Sequence, residues 1–402
     1  MAQLGPARHN PPPLFWADAP LFRSFLLGGF ECSTHRRGGD HQRLDLIAAT
    51  RHDRFAVEDY ARLADLGIKT ARDGIRWHRI EETPGRYEFA SVVPQLRAAR
   101  RAGVQVIWDL FHYGWPDDLD IFTPAFVDRF AALARAFAAV LADETDGPPW
   151  ITPVNEISYL AWAGGDTAEI FPFAKGRGHD LKAQLIRASI AATEAVWSVA
   201  PGTRLAQVEP IFNVIAHPDR PHEAEIAERY RLAQYQAWDM LSGRLRPELG
   251  GHPRYLDAIG VNYYPWNQWI FEGPVDPGAS IEPGHPGYRP FRAMLAEVAD
   301  RYRRPLFIAE TGTEGDDRPA WFAHIADEIV AAIEVGVPVE GVCLYPIVNF
   351  PGWTNDRHCR NGLWDYADDH GHRPIFAPLR DEIERQVPRF ATAQAVRRGS
   401  PP

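Results

Sequence analysis

The chain has 402 residues, 45% hydrophobic and 24% charged, with a net charge of -10 from 43 basic and 53 acidic side chains. That length accommodates a single large strand-and-helix domain. The acidic balance argues against nucleic acid and anionic membrane surfaces as partners. Three cysteines, Cys32, Cys343 and Cys359, give neither a disulfide framework nor a CxxC metal spacing. No run of about 18 apolar residues suggests a membrane span. Residues 1–20 lack the apolar stretch of a signal peptide, so a cytoplasmic protein is expected.

Along the chain, short runs rich in β-branched and aromatic residues alternate with longer Ala/Leu/Arg-rich segments of helical period. A first strand is expected over 24–30. A helix over 54–66 stops at Gly67 and leads to a strand over 70–77. A helix over 92–102 stops at Gly103 and leads to a strand over 104–111. Thr123 and Pro124 suit the N-cap and first position of a helix over 123–142, followed by a strand over 150–154. Helices over 182–200, 224–241, 288–302 and 320–334 then alternate with strands over 204–208, 258–263, 305–309 and 342–345. Eight such units predict an α/β fold, a single-domain (β/α)8 barrel over 21–391, with disordered or extended tails at 1–20 and 392–402. A doubly wound open sheet fits less well, because no GxGxxG loop follows the first strand. Two long stretches, 157–180 and 266–287, follow the fourth and sixth strands and are read as functional loops on the face where barrels place their sites.

Two carboxylates end apolar strand runs: Glu156 in Trp150-Ile-Thr-Pro-Val-Asn-Glu156, and Glu310 in Leu306-Phe-Ile-Ala-Glu310-Thr-Gly312. A carboxylate there must be paired or stand at the barrel mouth. Two of them, on the fourth and seventh strands, face each other across it. Paired carboxylates suit glycoside hydrolysis, in which one protonates the leaving oxygen and the other attacks the anomeric carbon or activates water. The thirteen Trp residues either supply flat faces that stack on sugars or simply fill a large core. Glu209, in Val208-Glu209-Pro210 after the fifth strand, is read as a substrate contact or a structural pair.

These residues belong to a wider pattern. Thr152-Pro-Val-Asn155-Glu156 resembles the Thr-x-Asn-Glu-Pro motif of glycoside hydrolase family 1, the β-glucosidase-like branch of a clan of barrel enzymes. Ile308-Ala-Glu310-Thr-Gly312 is similar to that family's Ile/Val-Thr-Glu-Asn-Gly. Phe25-Leu-Leu-Gly28, Ala71-Arg72-Asp-Gly-Ile75-Arg-Trp77, Phe111-His112-Tyr-Gly-Trp115-Pro116 and Ile259-Gly-Val-Asn262-Tyr263-Tyr264 resemble further motifs of the family, in order, over roughly residues 25–364. The resemblance implies a retaining β-glycosidase with Glu156 as general acid/base and Glu310 as nucleophile. It implies that Arg72 and Tyr264 support Glu310, that Asn155 binds the sugar's 2-hydroxyl, and that His112 binds another hydroxyl, with Asn262 as a further supporting residue. It implies no cofactor or metal, and a small glycoside or oligosaccharide as the partner.

The chain also departs from the family. His35 stands where the family has Gln, and Tyr345 where it has Trp. The family's Asn-Phe-Glu-Trp reads Asn349-Phe350-Pro351-Gly352-Trp353, so the glutamate that grips the far hydroxyls is absent, and Ile157 replaces the proline after Glu156. His35, Tyr345 and Trp353 remain candidate substrate contacts. Each supporting residue also has a plain structural reading: a barrel salt bridge for Arg72, a satisfied core histidine for His112, core packing for Tyr264. A carbohydrate-binding barrel without turnover and a glycosidase of a neighbouring family are the alternatives. A lysine-dependent aldolase or a metal hydrolase lacks the strand-end lysine or His/Asp clusters it would need.

Overall fold

The structure is a computed structural model that describes residues 19–274 and 278–397. Eight strands close into a barrel in which every neighbouring pair is parallel and follows chain order. They span Leu26–Gly29, Thr70–Gly74, Gln105–Asp109, Trp150–Thr152, Arg204–Pro210, Ala258–Asn262, Leu306–Thr311 and Val339–Leu344, and are called strands 1 to 8 below. All eight expected strands form, most of them shorter than the apolar runs that announced them. The helices expected to begin at 54, 92 and 123 span His52–Asp65, Val93–Ala102 and Pro124–Glu144. Gly67 and Gly103 follow the first two with φ +74 and φ +69, the left-handed stop that glycine adopts without strain.

Some expectations fail in instructive ways. The segment over 224–241 is broken into Ala224–Leu232 and Gln236–Leu241 by a 3-10 turn at Ala233–Tyr235. The stretch after strand 4 begins with helical turns over Ile157–Leu160 and Ala161–Asp166. The stretch after strand 6 contributes Gln268–Ile270, which pairs with Asn213–Ile215 in a small parallel sheet above the barrel. The last helix runs over Ala377–Arg397, so 392–397, expected in a disordered tail, are helical. Residues 1–18 and 398–402, the rest of the expected tails, lie outside the described residues. Among the described residues no helix is long and apolar enough to cross a membrane. The three cysteines are buried and free.

The period of two along each strand separates two packing layers. Leu27, Ile107, Trp150, Ala206, Val208, Phe307, Ala309 and Cys343 fill the barrel interior. Their alternates, among them Leu26, Ala71, Trp108, Ile151, Ile308 and Val342, pack on the helices. Strand 2 carries a charge in each direction. Arg72 points in, toward strands 3 and 7. Asp73 points out, where its Oδ2 accepts from Tyr60 at 2.7 Å, Gln95 at 3.1 Å and His52 Nε2 at 3.0 Å.

That outward network makes a testable contribution to stability. His52 is sandwiched between Asp73 and Asp59, with Nδ1 2.9 Å from Asp59. Arg373 grips the same Asp59 with two hydrogen bonds of 2.7 and 2.9 Å. Burial works against a charge on His52, but the two carboxylates outweigh it and raise its pKa from 6.5 to about 9. A raised histidine stabilises the fold fully below its unfolded value and loses that contribution as pH rises through the folded one. The gap corresponds to roughly 3 kcal/mol. The urea midpoint should therefore fall between pH 6.5 and pH 9.5, and the fall should shrink in His52→Gln. An identical pH dependence in both proteins would mean that the imidazole is buried neutral.

Candidate active site

Strands 3, 4, 6 and 7 end at a cavity of about 740 Å³, within the range of small-molecule sites. Its floor and walls include Glu31, His112, Tyr113, Glu156, Tyr264 and Glu310. A second depression, of about 630 Å³, lies among the Arg76–Asp53 ion pair and neighbouring arginines and acids and carries no comparable convergence of buried groups.

Glu310 reaches the cavity through an irregularity. Phe307 and Ala309 point into the barrel, so simple alternation would turn Glu310 outward. The pairing of strands 6 and 7 slips by one residue, from Val261↔Ile308 to Asn262↔Glu310, and strand 8 slips against strand 7 over the same stretch. An extra residue at a strand end re-aims the side chain that follows it. Glu310 Oε1 then accepts from Arg72 Nη1 at 2.9 Å, and Oε2 accepts from the Tyr264 hydroxyl at 2.9 Å. The Arg72 guanidinium is wholly buried. Besides Glu310 it donates to Asp109 Oδ2 at 2.7 Å, Asn155 Oδ1 at 3.0 Å and the Ala309 carbonyl at 2.9 Å. Burial disfavours its charge, but Asp109 and Glu310 reverse the sign and hold it firmly protonated.

Glu156 sits at the turn from strand 4 into the helical turn Ile157–Leu160, in a left-handed conformation with φ +43. Such a backbone costs a non-glycine residue on the order of 1 kcal/mol and recurs at functional sites. Its own N–H donates to the Val208 carbonyl at 3.0 Å. Tyr113 donates to Oε2 at 2.6 Å and Asn262 Nδ2 to Oε1 at 2.8 Å. Burial, then the charges of Glu310 and Glu209, push the Glu156 carboxyl up to about 8, against the opposing pull of those two hydrogen bonds. The carboxyl is thus well hydrogen-bonded, and the loss of water prevails.

His112 Nδ1 lies 2.9 Å from Asp109 Oδ2, and its Nε2 lies 3.2 Å from Asn155 Nδ2. Asp109, Glu31 and Glu310 raise its pKa against the effect of burial. Asn155 is fully buried behind the cavity wall and hydrogen-bonds Arg72 and Tyr113. Trp353 lines the cavity edge-on to Tyr113 and Tyr159. His35 lies behind Trp353, ring against ring at 4.5 Å, with burial pushing its pKa down to about 4. Tyr345 lies in the floor. Trp266, 60% exposed, stacks on Tyr264 at 5.5 Å and extends the aromatic wall outward.

Glu209 does not face the cavity. It alternates with inward Val208, so it points behind strand 5 and accepts the Ser158 N–H at 3.0 Å, holding the turn that carries Glu156. Burial raises its carboxyl to about 7, while Ser158 and the half-buried Lys182 pull it down. Of the two readings offered by the sequence, the structural pair fits this placement.

Sequence reasoning missed Glu31, Asp109 and Tyr113. Glu31 follows the apolar run over 24–30, the signal that picked out Glu156 and Glu310, whereas Asp109 lies inside the run expected over 104–111 and ends its strand only in the structure. Cys32, Asp109 and His112 bring ligand-type atoms within 4.8 Å of one another. The Asp109 oxygen in that group already takes Arg72 at 2.7 Å and His112 at 2.9 Å. A cation there would have to displace a buried guanidinium, so the cluster is better described as a hydrogen-bond network.

No protein-family model and no curated protein matches the chain. Among solved structures it is similar to a β-glucosidase from Thermotoga maritima in complex with noeuromycin, at 15% identity and a TM-score of 0.71, covering 96% of this chain and 99% of that one. It is similar to the AHE enzyme from Alicyclobacillus herbarius at 18% identity and a TM-score of 0.72, covering 92% and 99%. A structure described as a family 1 β-glucosidase from Thermotoga maritima aligns at 17% identity and a TM-score of 0.66, with 88% of each chain covered. The shared feature is the barrel fold.

Proposed function

We propose that this barrel is a retaining glycoside hydrolase that cleaves β-glycosidic bonds, with Glu156 as general acid/base and Glu310 as nucleophile. The observation that carries the reading is the contrast between two carboxylates in one cavity. Glu310 is ion-paired to a buried arginine at 2.9 Å, whereas Glu156 is held up to about 8. A pair of carboxylates in divergent settings is what acid and nucleophile require. In the first step Glu310 attacks the anomeric carbon while Glu156 passes its proton to the departing oxygen. In the second, Glu156 takes a proton from water, whose oxygen displaces Glu310 and restores the starting β configuration. The two Thermotoga maritima structures named above are described as β-glucosidases, which supports a glycoside as the substrate.

The test is a screen of nitrophenyl glycosides, with proton NMR of the first-formed product. A β-anomer as first product is expected. The missing loop glutamate, with Pro351-Gly352 in its place, implies a selective enzyme. Equal and efficient cleavage of glucosides, galactosides and fucosides would contradict that, and an α-anomer would replace the retaining mechanism with an inverting one. A binding protein would show saturable sugar binding and no turnover.

Glu209 gives a second check. Its charge helps raise Glu156, and Glu209→Gln removes the charge while keeping an acceptor for the Ser158 N–H. The alkaline limb of kcat/KM should move to lower pH, with activity near pH 6 largely kept. An unmoved limb would mean that the two carboxyls do not communicate.

A further inference from the structure

Strands 1 and 8 are neighbours, paired Leu27↔Cys343 and Gly28↔Leu344. One step further along that register, Gly29 stands beside Tyr345. A Cβ on Gly29 would lie 2.1 Å from the Tyr345 ring, so the phenol occupies space that only glycine leaves open. Alternation then brings Glu31, two residues beyond Gly29, to the same inward face. Glu31 and Tyr345 both line the cavity, at 5% and 2% exposure. The Tyr345 hydroxyl is buried without a hydrogen-bond partner. Glu31 Oε1 accepts the Ser33 N–H at 2.9 Å and lies 3.8 Å from His112 Nε2. That gap is too long for a direct hydrogen bond, yet one hydroxyl oxygen placed between them could reach both. A buried phenol and a buried carboxylate left open toward a cavity incur a desolvation cost that a polar ligand would relieve.

We infer that Glu31 and Tyr345 form a hydroxyl-reading pair for the sugar ring that is cleaved. The inference rests on the glycosidase reading and adds specificity residues to it. The ligand chemistry is a neutral glycon with adjacent hydroxyls remote from the anomeric carbon. Glu31 accepts from one hydroxyl, which also meets His112 Nε2, and the Tyr345 phenol bonds its neighbour. A glycon bearing a carboxylate or phosphate at that end would meet Glu31 as a like charge. Burial raises the Glu31 carboxyl, with Glu310 adding to the rise and His112 and Ser33 opposing it.

The experiment compares the wild type with Glu31→Gln, Glu31→Ala and Tyr345→Phe on a nitrophenyl glycoside and its four monodeoxy analogues. Thermal midpoints verify that each variant is folded, and the two near-isosteric changes protect the test should Glu31→Ala fail to fold. For the parent sugar kcat/KM should fall about 10- to 100-fold in the Glu31 variants, the worth of a hydrogen bond to a charged group. For the analogue lacking the hydroxyl that Glu31 reads, the wild type should already have lost that factor and the variants should lose little more. Tyr345→Phe should erase discrimination at the adjacent position. Equal losses on all analogues would assign both residues a merely structural role, and unchanged kinetics would leave them no role; either overturns the inference while the glycosidase reading stands. A folded wild type that cleaves no glycoside would overturn that reading itself.

Discussion

Replacing Glu310 with alanine should remove nearly all hydrolysis, lowering kcat by on the order of 10⁴-fold or more, as loss of a covalent nucleophile does elsewhere. The fold should survive the change. Arg72 would keep Asp109 at 2.7 Å and the Ala309 carbonyl at 2.9 Å, so its buried charge would not be left alone. The small space vacated beneath the sugar, beside that cation, should admit azide. Attack from that face on an activated β-glycoside yields an α-glycosyl azide, so rescue should appear as an inverted product measurable by NMR. Azide that rescues Glu156→Ala with inversion, and leaves Glu310→Ala inactive, would require the two roles to be exchanged.

The position of Glu310, the proposed nucleophile, is legible in the sequence, but its orientation is not. A carboxylate closing an apolar run is conspicuous, so Glu156, Glu209 and Glu310 stood out at once. Which face each one takes depends on register. Glu209 follows strict alternation after Val208 and points behind the strand, toward Ser158. Glu310 escapes alternation through the slip against Asn262. No residue type in Ile308-Ala-Glu310 announces such a slip, because it is settled by pairing with strands 6 and 8. The barrel itself was easier to read, since glycine-stopped helices such as those before Gly67 and Gly103 carry their own punctuation. Glu31 obeys the same strand-end rule, whereas His35, four residues on, packs behind Trp353 and off the cavity wall. The break at Ala233–Tyr235 was hidden for a different reason: its residues are compatible with a helix, and tertiary packing overrides the local preference.

The partner carboxylate should show a different pattern, set by the leaving group. In the proposed mechanism Glu156 donates a proton in the first step, and its pKa of about 8 keeps it protonated through neutral pH. As pH rises past that value the proton is lost, so wild-type kcat/KM should fall on the alkaline side. Glu156→Ala should flatten that limb, since no acid remains to titrate. Its cost should depend on how much help departure needs. Substrates with poor leaving groups should slow by about 10²- to 10⁴-fold, the usual range of general acid catalysis. Dinitrophenyl glycosides, whose leaving group departs without a proton, should still form the glycosyl-enzyme and then stall, giving a burst followed by slow turnover. In that intermediate Glu310 has become a neutral ester, and the charge that helped hold Glu156 up is gone. The carboxyl then relaxes downward under the pull of Tyr113 and Asn262, whose hydrogen bonds favour its ionised form. The group that acted as an acid can therefore act as a base on water. In the variant, azide supplies a nucleophile that needs no base, so it should relieve the stall and give a β-glycosyl azide. A variant slowed equally on all leaving groups, with its alkaline limb intact, would show that Glu156 is not the proton donor.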